Sequence, residues 1–143
     1  MAILNYTTKI NATKTIGEIQ AILAKAGAKS VSVDFDDGIP VALTFAIALE
    51  QDFINYRLPS NADGVYRALC REPKVTRAQK SMEQARRVAW RIVKDWVEAQ
   101  LAVIEAGLAT LPEVFLPYAI APNGQTLFQI VEQHGVKALA PGA

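Results

Sequence analysis

The chain has 143 residues, of which 51% are hydrophobic and 20% charged, with a formal net charge of +1. That size and composition fit one domain, 1–143, which buries about two thirds of its unfolded surface. A single Cys70 excludes an internal disulfide and fits a reducing compartment, and neither a basic leader nor an apolar run of about 18 residues marks a secretory signal or a membrane span. A soluble, cytoplasmic protein is expected.

Ile3 to Ile10 alternates, with Leu4, Tyr6, Thr8 and Ile10 on one side, and predicts a strand. Thr15-Ile16-Gly17-Glu18 has the spacing of a capping box, in which threonine and glutamate each satisfy a free backbone donor at a helix start. The helix it opens carries Ile16, Ile19, Leu23 and Ala26 on one face and stops at Gly27. Lys29 to Asp36 alternates again, and Asp36-Asp37-Gly38 supplies residues that tolerate the positive φ of a tight hairpin turn.

The returning strand, Val41 to Leu49, is bulky on one face (Val41, Leu43, Phe45, Ile47, Leu49) and small on the other (Ala42, Thr44, Ala46, Ala48). The small face is read as packed closely against another element, the alternative being a shallow floor for a ligand. Phe53 to Leu58 makes a further strand, stopped by Pro59 and the Ser60-Asn61 turn. Residues 1–60 are thus mainly sheet, with four strands in the order β-α-β-β-β.

From Ala62 the apolar period becomes helical, and residues 61–143 are expected to be mainly helical. Val65, Leu69 and Tyr66 mark a short helix that ends before Pro73. A long helix then starts at Thr76 or at Ser81, each followed three residues later by glutamine, and runs to Gly107. Thr110-Leu-Pro-Glu113 opens another helix, limited by Pro117, and an Asn123-Gly124 turn precedes a last one with Leu127, Ile130 and Val131, ending at Gly135 and a loose Ala-Pro-Gly tail. The fold class is α+β.

The small net charge hides its distribution. Residues 57–94 hold ten basic side chains (Arg57, Arg67, Arg71, Lys74, Arg77, Lys80, Arg86, Arg87, Arg91, Lys94) against Asp63, Glu72 and Glu83, a net +7. The first 56 residues carry −2 and the part after Lys94 carries −4. Within the long helix, cations crowd the N-terminal half while Glu98 and Glu105 lie toward the C-terminus, opposite to what the helix dipole favours. A solvated face, or pairing with the acidic Asp34–Asp37 turn, is one cause; an anionic partner is the other.

A nucleic-acid backbone matches so many cations better than one small phosphate does, because each neutralised phosphate releases counterions. Tyr56 beside Arg57 and Tyr66 beside Arg67 offer stacking platforms of the kind that hold single strands. Arg57, Arg67, Arg71, Lys74, Arg77, Lys80, Arg86, Arg87 and Arg91, with Tyr56 and Tyr66, are therefore the expected nucleic-acid-binding residues. No helix-turn-helix, zinc-finger or glycine-rich phosphate motif is evident. The lone His134 lacks companions for a metal set, and Asp34-Phe35-Asp36-Asp37-Gly38 lacks the spacing of an EF-hand, so no metal, no cofactor and no enzyme activity are expected.

The segments TIGEIQAILAKAGAKSV, DDGIPVALTFAI, RLPSNADGVYRAL, QARRVAWRIVKDWVEAQLAVIEAG, EVFLPY and NGQTLF together resemble a family of small uncharacterised phage and prophage proteins. The resemblance implies no activity residue by residue, but it implies a host-cell cytoplasmic setting in which replication or recombination accessories, and proteins that block host defence, are common. The expected function is a non-catalytic nucleic-acid-binding accessory, single-stranded DNA preferred. The alternative is an interaction protein that binds a host protein or sequesters a small anionic ligand.

Assembly is the last expectation. The long helix presents two apolar stripes, and residues 106–143 hold many apolar side chains with few charges. Too many apolar faces compete for one core, which predicts a homo-oligomer joined through Trp96, Leu101, Ile104, Leu108 and Phe115.

Overall fold

The computed structural model describes residues 2–135. Helix α1 (Ala12–Lys25) leads into strands β1 (Ser30–Asp36), β2 (Ile39–Leu49) and β3 (Asp52–Pro59). Helices α2 (Ala62–Arg71), α3 (Met82–Glu105), α4 (Leu111–Phe115) and α5 (Leu127–His134) follow, with short 3-10 turns at Arg77–Gln79 and Leu116–Tyr118. Helix and sheet coexist as an α+β chain, and the sheet has three antiparallel strands in the order β1-β2-β3.

The expected fourth strand at Ile3–Ile10 does not form. Asn5 takes a φ of 64°, which breaks a pleat, and the Thr8 amide turns back to donate to the Asn5 carbonyl. The segment instead lies against α3, where the side-chain amide of the buried Gln84 donates to the carbonyls of Tyr6 and Thr8, both at 2.9 Å. Leu4, placed on one side of that strand with Tyr6, Thr8 and Ile10, is 68% exposed.

Helix α1 starts earlier than its capping-box spacing suggests, because the Asn11 side chain accepts from the Thr13 amide at 2.9 Å. Asp37 and Gly38 both hold positive φ (50° and 77°), as the expected hairpin turn requires. Both candidate starts of the long helix are used. Thr76 and Gln79 close a capping box around the first 3-10 turn, and Ser81 caps α3 by accepting from the Gln84 amide. At 24 residues, α3 spans roughly 36 Å.

The bulky face of β2 carries the main core. Leu43 and Phe45 are buried with Tyr56 and Leu58 of β3, Ile16, Ile19 and Leu23 of α1, Trp90 and Val97 of α3, and Phe115. A second cluster joins Val65 and Leu69 of α2 to Val75, Ala85, Val88 and Ala89. Helix α3 belongs to both, so its two apolar stripes are consumed by different partners over its front half. On the small face of β2, Ala42 and Ala46 are buried and Thr44 is half-buried, while Ala48 and the cross-strand neighbours Ser30, Ser32, Asn55 and Phe53 are exposed. Beyond β3, Ile120 donates to the Asn55 carbonyl, and bridges at Tyr56–Ala119 and Ile120–Thr126 close that edge of the sheet. The Ala-Pro-Gly tail lies outside the described residues.

Candidate nucleic-acid interface

The basic block is divided by the fold into three groups. Arg57, half-buried, stands across from Thr44 on the small-residue face of the sheet, where its guanidinium donates to the Gly124 carbonyl at 3.3 Å and lies 3.9 Å from Asp34. Asp34 is in turn fixed by the Thr44 hydroxyl, which donates to it at 3.0 Å. Arg57 is thereby tied into the sheet and set apart from the helical cations.

The second group is the polar strip of α3. Arg87 donates to Glu83 at 2.6 Å and to Gln84 at 3.1 Å. Arg91 reaches across to α1, where Glu18 accepts at 2.7 Å and Thr15 at 3.4 Å. Lys94 lies 3.9 Å from Glu18 and donates to Glu98. The two residues that read as a capping box in the sequence thus receive Arg91 instead. Asp95, the four-residue partner that Arg91 has in sequence, accepts from Asn5 at 2.8 Å. The reversed charge order of α3 therefore has an internal cause over this stretch: its cations answer carboxylates on α1 and on α3 itself. Arg87 and Arg91 thus have their partners within the protein.

The third group follows the chain from α2 through the connection into the first turns of α3. Arg67 and Arg71 are exposed on the side of α2 opposite its buried Val65 and Leu69. Lys74 and Arg77 are exposed in the connection, and Lys80 is half-buried at its end. Arg86, also half-buried, lines a groove of about 220 Å³ together with Asp36, Asp63 and Asn61. Among the described residues none of these six cations forms an ion pair.

The two tyrosines part company. Tyr56 is fully buried, stacked on Phe45 at a ring separation of 5.2 Å and tilted against Phe115 at 6.1 Å. Burial pushes its phenol pKa up, and no base can reach its ring, so its expected stacking role is corrected to a core role. Tyr66 is half-exposed on α2, beside the unpaired cations. Its phenol is raised by a hydrogen bond to Cys70, by the charge interaction with that thiol and by burial, in that order.

The residues expected at an oligomer seam are likewise divided. Phe115 is fully enclosed by Phe45, Tyr56 and Trp96, and so it is a core residue rather than an interface residue. Trp96 is half-buried, meeting Phe115 and Tyr118 edge-on at 5.4 and 5.3 Å. Leu101 and Ile104 line a groove of about 540 Å³, and Leu108 is 78% exposed.

Glu18 is the residue whose role the spacing hides: its contact with Arg91 joins positions 73 apart, and no local pattern marks such a pair. Among the described residues no helix is long and apolar enough to cross a membrane, and no group of His, Cys, Asp and Glu could hold a metal ion. No family model, curated protein or solved structure matches the chain.

Proposed function

We propose that the protein is a non-catalytic nucleic-acid-binding accessory that prefers single-stranded DNA and serves phage replication or recombination. The observation that carries the reading is the run of six cations, Arg67, Arg71, Lys74, Arg77, Lys80 and Arg86, that no carboxylate of the described residues pairs. Unpaired cations close in sequence repel one another, and a polyanion relieves that repulsion while releasing its own counterions. Tyr66 supplies the one half-exposed ring among them for a base to stack on. The sequence resemblance to phage proteins supports the biological setting. In the same reading the protein acts as a homo-oligomer, with its cations on the outside.

Fluorescence anisotropy with a labelled single-stranded oligonucleotide at low salt tests the proposal. Binding at micromolar protein that weakens steeply with added salt is expected, and a duplex of the same sequence should bind less tightly. Failure to bind either oligonucleotide at low salt would sink the reading.

A further inference from the structure

We infer that the rear half of α3 and the end of α1 dock onto a second copy of this chain in a two-fold contact that sets Lys25 of one protomer against the partner's Glu105. The inference rests on the self-association reading above and names its seam.

Past Val97, α3 has no buried residue. Leu101 and Ile104 are only half-buried there, and with Ile22, Ala26 and Leu111 they form the apolar lining of the groove of about 540 Å³ along the α1–α3 seam. The exposed Leu108 stands just beyond the helix end. An apolar lining left open in this way is the surface that association covers.

The charges at the groove point to its occupant. The charged lining residues are Lys25 on the α1 wall and Glu105 on the α3 wall. Both are exposed, and among the described residues neither forms an ion pair. An acidic or a basic partner would satisfy one wall and repel the other. A second copy turned about a two-fold axis brings its negative wall to the positive one and its positive wall to the negative one, since in an isologous contact residue i meets j and j meets i. Two equivalent ion pairs then flank two apolar linings. The unpaired cations at 67–86 belong to α2, the connection and the front of α3, so this seam leaves them uncovered in both copies.

The test uses the full chain in analytical ultracentrifugation, with circular dichroism confirming the fold. Wild-type protein is expected to be dimeric at tens of micromolar. Lys25→Glu and Glu105→Lys should each weaken the dimer by roughly tenfold, because each turns two attractive pairs into repulsive ones. The double variant K25E/E105K should recover wild-type association. Mixing the two single variants should produce a heterodimer, since every cross-seam pair in it is again of opposite sign. A dimer that neither single change weakens overturns the groove as the seam and leaves self-association standing. Loss in the single variants without recovery in the double variant or the mixture overturns the cross-pairing of Lys25 with Glu105. A wild-type monomer at every concentration overturns both the seam and the self-association reading, while oligonucleotide binding is read separately by anisotropy.

Discussion

The Arg91 guanidinium lies 2.7 Å from the Glu18 carboxylate and ties the first helix to the third, with Lys94 on the same carboxylate at 3.9 Å. The Arg91 side chain is 15% exposed and that of Glu18 32%, so the pair is screened less than a surface bridge but is not stranded in the core. Glu18→Gln removes the charge that answers two cations while keeping the side chain's shape. The change should cost about 1–2 kcal/mol of stability, read as a lower urea midpoint at unchanged slope. An unchanged midpoint would mean that the bridge holds nothing together.

The division of the basic block predicts unequal effects on binding. Arg71→Ala removes an unpaired cation, and it should lower the slope of log affinity against log salt by about 0.7, the contribution of one single-strand phosphate contact. Arg87→Ala removes a cation already held by Glu83 and Gln84, and it should leave that slope nearly unchanged. Equal losses from the two changes would show that pairing in the folded chain does not decide which cations face the polyanion.

Helix α4 carries a pH-sensitive cap. The Glu113 carboxyl is held below its ordinary pKa first by the Thr110 backbone amide and then by the Thr110 hydroxyl, with slight burial opposing. Both donors meet the same carboxylate oxygen at 3.0 Å. Because the folded pKa lies below the unfolded one, the cap contributes fully above the unfolded carboxylate's titration range and is lost as pH falls through the lowered value. Titration of Glu113 followed by NMR should show the lowered midpoint, and Thr110→Val should move it back toward the ordinary glutamate range. Because valine keeps the backbone amide, a midpoint that Thr110→Val leaves in place would show that the Thr110 hydroxyl plays no part in lowering it.

Local signals were legible where the chain answers to itself. The Asp37-Gly38 turn and the Ser81 and Thr110 caps are decided within a few residues, and they stand as the sequence predicts. Segments whose conformation is decided by a distant partner were not. The segment from Ile3 to Ile10 alternates like a strand, yet Gln84, far along the chain, donates to its Tyr6 and Thr8 carbonyls. Thr15 and Glu18 have a capping spacing, but Asn11 outcompetes them for the helix start and frees them for Arg91. In the candidate site the excess of cations was plain from composition, whereas which of them remain unpaired depends on Glu18 and Asp34 arriving from other elements. The small face of β2 likewise left packing and a shallow floor both open, because what covers a strand is not written in the strand.

Tyr56 and Tyr66 separate core from interface by experiment. The Tyr56 ring is enclosed by Phe45 and Phe115, and its hydroxyl has no hydrogen-bond partner among the described residues. A buried polar atom without a partner is a cost to the fold, so Tyr56→Phe should leave stability unchanged or raise it by up to about 1 kcal/mol. Tyr56→Ala removes the ring itself, and it should cost about 3–5 kcal/mol as a core aromatic does. Neither change acts on oligonucleotide affinity in protein that remains folded. Tyr66→Ala should act mainly on binding: its half-exposed ring packs only at the margin of the second cluster, so the change should cost less stability than Tyr56→Ala while weakening single-strand binding by about 1–3 kcal/mol through the loss of one stacked base. Thermal melts and anisotropy on the same samples decide it. If Tyr56→Phe melts like wild type and yet binds the oligonucleotide less tightly, its phenol reaches the nucleic acid, and the enclosure by Phe45 and Phe115 cannot be the state that binds.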